Sequence, residues 1–338
     1  MESLACAVSN LRFMAGRAEV SLNGTCHASD DNLNYQEREL AMNLAIIGDV
    51  HGHLALMYAV LGRWQKETGR RIDLILQCGD MGSFLPTSQL DRATKRWSEQ
   101  DPEELGFGEF AGDSVPPTLL DPRPLVVFIP GNHEDFVMLD EREKAARPDQ
   151  STYSVSNDGR IHALRSGRVW TFAMEGEAIR VAGISGIARE PHRKGRHPRY
   201  YLSEADALRL AQAGPGSVDI LISHDGPSGL FGSDYRGMAG SDALRLVIEE
   251  TSPKLAFFAH YDREGEWSIG TTRVVGMGKC GYVPSGSWPI ASGGFAIVSW
   301  KRGSVSVERL ASDWVVTATR FSWRRWGRPV RTKSGTTF

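Results

Sequence analysis

Asp49 and His51 stand two residues apart in Gly48-Asp49-Val50-His51-Gly52, directly after the apolar run Leu44-Ala-Ile-Ile47. A carboxylate and an imidazole side by side are oxygen and nitrogen ligands for a divalent metal of borderline softness. One Asp-x-His pair is a common accident, but this chain repeats the arrangement. Asp80 follows the run that starts at Asp73 and ends at Gly79. Asn132 and His133 follow the run from Leu125 to Gly131. His224 follows Val218 to Ser223, and His260 follows Lys254 to Ala259. Asp49, His51 and Asp80 can hold one metal. Asp80, Asn132, His224 and His260 can hold a second, with the Asp80 carboxylate bridging. Two cations about 3.5–4 Å apart suit in-line displacement at phosphorus, because they activate a water and offset charge on the phosphoryl oxygens. His133, beside Asn132, is then placed to protonate the leaving oxygen as a general acid.

For these side chains to meet, their runs must be neighbouring strands. In a sheet of parallel strands the carboxyl ends lie along one edge, where such folds put their sites. After His51, the residues Leu54, Met57, Val60, Leu61 and Trp64 recur at helical spacing, and Gly69 closes the helix before a strand at Ile72–Leu76. That order implies a βαβ crossover and a parallel pair. Residues 82–122 read as a long polar connector with a short helix near Asp91–Trp97, and residues 135–160 as another with a charged helix start at Asp140. Ser203-Glu-Ala-Asp206 reads as a variant capping box opening a helix to Ala213. Asp242–Glu250 is a short helix, and Phe295–Trp300 with Ser304–Arg309 reads as a hairpin. The expected fold is α/β, with two packed mixed sheets flanked by helices.

Composition excludes several classes. Hydrophobic residues at 41% and charged residues at 24% are those of an ordinary soluble domain. A net charge of -2 leaves any nucleic-acid signal to local patches. Four cysteines without CxxC spacing argue against a disulfide framework or a zinc knuckle and for a reducing compartment. No apolar stretch reaches transmembrane length and no signal peptide is evident, so the expectation is a cytoplasmic protein with no membrane partner. Residues 1–41 read as an N-terminal extension, 42–310 as the catalytic domain and 311–338 as a tail of interleaved basic and aromatic residues, a pattern that suits single-stranded nucleic acid or a packed terminus.

The motifs GDVHG (48–52), GD (79–80), GNHE (131–134), SH (223–224) and AH (259–260) resemble the calcineurin-like metallophosphoesterases, over nearly all of residues 44–262. The resemblance implies a four-layer α/β/β/α sandwich, a dinuclear centre of manganese, iron, zinc or similar metals, and phosphoester hydrolysis. Longer stretches, including Ile72–Asp80, Val127–Glu134 and Asp219–Pro227, resemble the RNA lariat debranching branch, which cleaves 2′-5′ phosphodiesters. Two positions depart from that branch. It usually has Cys where this chain has Asp49, and His two residues after the last ligand histidine, where this chain has Asp262. Asp262 could ligate the first metal through oxygen or orient a water.

The basic run after Ser185 supplies Arg189, Arg193, Lys194 and Arg196 as candidates for phosphate contact. The reading that results is a metal-dependent phosphodiesterase of RNA or another nucleic acid, with His133 and Asp80 as catalytic residues. The alternatives are a phosphomonoesterase acting on phosphoprotein or nucleotide, and a non-catalytic interaction module on the same fold.

Overall fold

The structure is a computed structural model and describes residues 41–174, 176–189, 196–231, 240–301 and 304–326. The expected N-terminal extension falls almost entirely outside the described residues, as do Arg193 and Lys194. Along the chain the strands are β1 (Met42–Ile47), β2 (Leu74–Gln77), β3 (Leu125–Phe128), β4 (Thr152–Ser154), β5 (Ile161–Leu164), β6 (Val169–Met174) and β7 (Glu177–Ile184). They continue with β8 (Ile220–Ser223), β9 (Leu255–Phe258), β10 (Gly265–Ile269), β11 (Thr272–Gly276), β12 (Phe295–Lys301) and β13 (Ser304–Arg309). The helices are α1 (Leu54–Thr68), α2 (Arg92–Ser98), α3 (Phe107–Ala111), α4 (Phe136–Ala145), α5 (Glu204–Ala211), α6 (Asp242–Thr251) and α7 (Asp313–Val316).

Two mixed sheets result. The first has the order β13-β12-β1-β2-β3-β5-β4 and the second β10-β11-β9-β8-β7-β6. In each, four central strands are parallel and the added edge strands antiparallel. Alternation along the strands builds the layers. Leu44 and Ile46 of β1 point to one side with Val181, Ile222 and Phe257 of the other sheet, forming the core between the sheets. Ala45 and Ile47 point the other way, against Met57, Leu61 and Trp64 of α1. Ile184, Leu221 and Phe258 meet Leu210 of α5 and Val247 of α6. Helix, sheet, sheet, helix is therefore the layer order, and both faces of each central strand are dry, which is why their sequences are continuous apolar runs.

The expected βαβ unit is present, with α1 ended by Gly69 in the left-handed conformation. Ser203 caps α5 by accepting from the Asp206 N–H at 3.3 Å. Four strands, β4, β5, β6 and β10, lie where the sequence suggested a connector or nothing. They are short or outer strands, and β5 pairs with β3 while carrying only four residues. The domain also continues past residue 310. Val315 and Ala318 are buried. Arg63 of α1 lies between Trp314 and Trp326, 4.8 and 4.7 Å from their ring centres. Trp314, Arg320, Trp323 and Trp326 are thus engaged with the rest of the described chain, while Phe321 stays exposed. No helix among the described residues is long and apolar enough to cross a membrane.

Gly62 lies inside α1, where a Cβ would come within 2.5 Å of the Leu119 backbone that crosses the helix. Alanine would gain about 1 kcal/mol of helix propensity, but overpacking against backbone costs about 1–3 kcal/mol. Gly62→Ala is expected to lower the melting temperature, measured by calorimetry. A rise would mean that the Leu119 segment is not held against α1.

Candidate metal centre

Five strand ends converge. Asp49 and His51 follow β1, Asp80 follows β2 and Asn132 follows β3, all in the first sheet; His224 and His260 follow β8 and β9 in the second. Asp80 ties them together. Its carbonyl accepts from the N–H groups of Val50 and His51 at 2.9 and 2.8 Å. Its Oδ1 accepts from those of Asn132 and His133 at 2.6 and 2.7 Å. Its Oδ2 lies 3.3 Å from His224 Nε2 and 3.8 Å from His51 Nε2. Asn132 Oδ1 is 2.9 Å from His224 Nε2, and the His260 N–H donates to Asp49 Oδ1 at 3.2 Å. Gly131 has to be glycine, because a Cβ there would stand 2.2 Å from Asp80 Oδ1.

Backbone strain collects here. His51, Asp80, His260 and Asp262 have φ of 41°, 50°, 67° and 50°. The left-handed region costs a non-glycine residue of order 1 kcal/mol or more and persists where surroundings enforce it. Part of the enforcement comes from Glu134. Its Oε1 accepts from Met81 N–H at 2.8 Å and its Oε2 from Ser83 N–H at 2.9 Å, which locks the Asp80 turn to the Asn132 turn. Gln77 Nε2 donates to the Gly48 carbonyl at 2.9 Å, which joins the Asp80 turn to the Asp49 turn.

The donors fit divalent cations. Asp49, His51 and Asp80 have ligand atoms within 4.8 Å of one another, as do Asp80, His224 and His260, so Asp80 belongs to both groups. Asp49 and Asp80 are buried carboxylates, and buried charge of one sign needs a counter-charge. Protons serve without metal. Burial pushes the Asp49 carboxyl up to about 8, against the pull of His224. Burial also opposes the charge on His224, yet Asp80 and Asp49 push it up to about 10. Burial would raise Asp80 too, but His224 and His133 hold it well below the carboxylate range. His51 is driven down to about 4 by burial, which leaves a neutral ring ready to ligate.

A family model described as calcineurin-like phosphoesterase matches residues 42–261. The chain belongs to the calcineurin-like phosphoesterase family. Metal-dependent phosphoester hydrolysis is the activity class of that family, and the donor set suits it. The lariat debranching enzyme of Drosophila pseudoobscura pseudoobscura is 27% identical over 249 residues, covering 65% of this chain and 42% of that protein. The lariat debranching enzyme of Entamoeba histolytica is 23% identical over 284 residues, covering 72% and 70%. The chain thus spans about two-fifths of the length of the Drosophila relative. Among solved structures, GAP50, the anchor in the inner membrane complex of Plasmodium, aligns with a TM-score of 0.44 at 13% identity, covering 83% of this chain and 91% of that one.

In this family member Asp49, His51, Asp80, Asn132 and His260 line a cleft of about 270 Å³, with His224 buried behind them. Asp262 borders that cleft but falls outside both donor groups. Arg189 and Arg196 do not line it; they lie over the rings of Tyr201 and Tyr200 at 5.3 and 5.2 Å. The cation in the cleft wall is Lys279, in the loop after β11, which sequence reasoning passed over because Gly278-Lys279-Cys280 carries no ligand pattern. Asp91 was missed as well. It caps α2 and its Oδ2 lies 3.0 Å from His133 Nδ1. Burial opposes the charge on His133, but Asp80 and the Asp91 hydrogen bond outweigh it and push the ring up to about 9. The Asp-x-x-Thr capping pattern at 91–94 was legible, but not where the helix start would point.

Because His224 is pushed up to about 10 without metal, and a ligand imidazole must be neutral, metal binding at pH 7 displaces a proton. Affinity for manganese should therefore rise with pH from 6 to 8. Calorimetry in buffers of different ionisation enthalpy should register proton release. Binding without proton release would remove His224 from the ligand set.

Proposed function

We propose that this chain is a metal-dependent phosphodiesterase acting on RNA or another nucleic acid, with Asp80 shared between two divalent cations and His133 as general acid. The observation that carries the reading is that Asp80 is common to both donor groups among the described residues. Asp49 and His51 complete one group. His224 and His260 complete the other, with the Asn132 amide oxygen beside His224. Asp262, bordering the same cleft, orients a water or adds an oxygen ligand.

Cations of manganese, iron, zinc or a similar metal, when bound, supply a water acidic enough to deprotonate near neutral pH and positive charge that offsets the phosphoryl oxygens. The protein does the rest. Asp91 accepts from Nδ1 of His133, which fixes the ring and leaves Nε2–H as the proton to deliver. The leaving oxygen takes that proton as its bond to phosphorus breaks. Lys279 places a positive charge in the cleft wall, where it can hold a non-bridging phosphate oxygen. Arg189 and Arg196, which do not line the cleft, are assigned with Arg193 and Lys194 to the phosphate backbone of a longer nucleic acid. Relatives named as lariat debranching enzymes support a diester over a monoester.

The deciding experiment gives manganese-loaded protein a branched 2′-5′ RNA, a matched linear RNA and a phosphomonoester. Cleavage of either RNA in preference to the monoester is expected; preference for the monoester would replace this reading with a phosphatase. Asp80→Asn should lose activity most severely, with both metals weakened in metal analysis. Near-normal turnover in that variant would sink the shared-carboxylate model. His133→Ala should lower kcat by about 10²–10⁴-fold while metal content stays normal, and Asp91→Asn should lower kcat less with KM little changed. Loss of metal from His133→Ala would instead make His133 a ligand.

A further inference from the structure

The cleft is lined by charged groups and by aromatic rings. One ring is Trp97, 41% exposed, on α2. Two more are Trp288 and Tyr282, in the loop that follows Lys279. An exposed tryptophan alone is unremarkable, but Trp97 and Trp288 line the same small cleft as metal donors. Trp288 is also held deliberately. It has φ of 50°, an outlier for a bulky residue. Its carbonyl accepts from the Arg320 N–H at 2.9 Å, and the Arg320 guanidinium lies 5.3 Å from its ring centre. Arg320 is itself fixed by Asp101 at 2.6 Å. The ring is thus set in one orientation before any ligand arrives.

We propose that Trp97 and Trp288 form a stacking subsite for a nucleobase of the phosphoester substrate, so that specificity at this centre is read from a base one sugar away from the reacting phosphate. The inference rests on the phosphodiesterase reading above and names what that site recognises. Spacing favours a base over a phosphotyrosine ring. Asp91, at the start of α2, touches the acid His133. Trp97 lies six residues further along the helix, roughly 9 Å at 1.5 Å per residue. A ring esterified directly to the reacting phosphate would lie closer to His133, whereas a base stands off by its ribose. Stacking on an aromatic side chain is also indifferent to which base is offered, so the subsite selects nucleotides as a class.

The test uses full-length, manganese-loaded protein and two probes: a ribodinucleotide, and the same dinucleotide backbone with both bases removed. The readout is the ratio of kcat/KM between them, beside direct binding of the two probes by calorimetry. In the parent protein the base-bearing probe should win in both. Trp97→Ala and Trp288→Ala should each shrink the ratio by about tenfold, from the 1–3 kcal/mol that base stacking contributes. Trp97→Phe should keep most of it. Equal losses on both probes would make the tryptophans structural and overturn the proposal, as would an unchanged ratio. If neither probe is hydrolysed, the phosphodiesterase reading fails, and calorimetry still decides stacking: tighter binding of the base-bearing probe that Trp97→Ala abolishes upholds the subsite, and equal binding overturns it.

Discussion

A single carboxylate, Asp80, organises this molecule. Its carbonyl holds the turn after β1, one carboxylate oxygen holds the turn after β3, and the other faces histidines from both sheets. A carboxylate that accepts two backbone N–H bonds stays ionised, so the same contacts that shape the loops keep negative charge where cations are needed. Glu134 and Gln77 are the struts that make this arrangement stiff. Each satisfies backbone groups in neighbouring turns that would otherwise be buried without partners. The strained φ values of His51, Asp80, His260 and Asp262 are the cost of aiming ligands from turns rather than from regular strands.

The layers explain why the site lies where it does. Each sheet has a parallel centre, so the carboxyl ends of its four central strands share one edge. Stacking the two sheets across the Leu44, Ile222 and Phe257 core brings those edges together. The cleft then gathers what the loops offer: α2 contributes Thr94 and Trp97, its cap Asp91 holds His133, and the loop after β11 contributes Lys279, Tyr282 and Trp288. The chain beyond residue 310 matters for the same reason. Arg320 braces the 101–103 loop against Trp288 and Tyr282, and Trp323 Nε1 donates to the Tyr282 hydroxyl at 2.7 Å.

Much of this was legible in the sequence where the signal was local. Apolar runs ending in Asp49, Asp80, Asn132, His224 and His260 marked the strand ends, because central parallel strands are buried on both faces and carry no polar alternation. Ser203 and Gly69 marked helix ends because caps have specific chemistry. The strands β4, β5, β6 and β10 were not legible, since three to six residues at the outer part of a sheet take their conformation from neighbours rather than from propensity. Asp91, Lys279 and the cleft tryptophans were hidden for another reason. Their roles depend on which long loop folds over the strand ends, and no periodicity encodes that. The placement of Arg189 and Arg196 was hidden in the same way: the basic run beside a ligand-bearing strand did not show that these two arginines lie on tyrosines outside the cleft.

The division of the ligands between two sheets has a thermodynamic consequence. Only one donor group spans the two sheets: Asp80 hangs from the first and His224 and His260 from the second, whereas Asp49, His51 and Asp80 all follow strands of the first. A cation in the spanning group would act as a rivet through the seam between the layers, and one in the other group would tie together turns of the first sheet. Their binding free energy would add to cohesion of the sandwich, by RT ln(1 + [L]/Kd) for each site absent from the unfolded chain. Chelation would then loosen the packing of the two halves as well as silence the chemistry, so that metal supply would govern the lifetime of the folded protein.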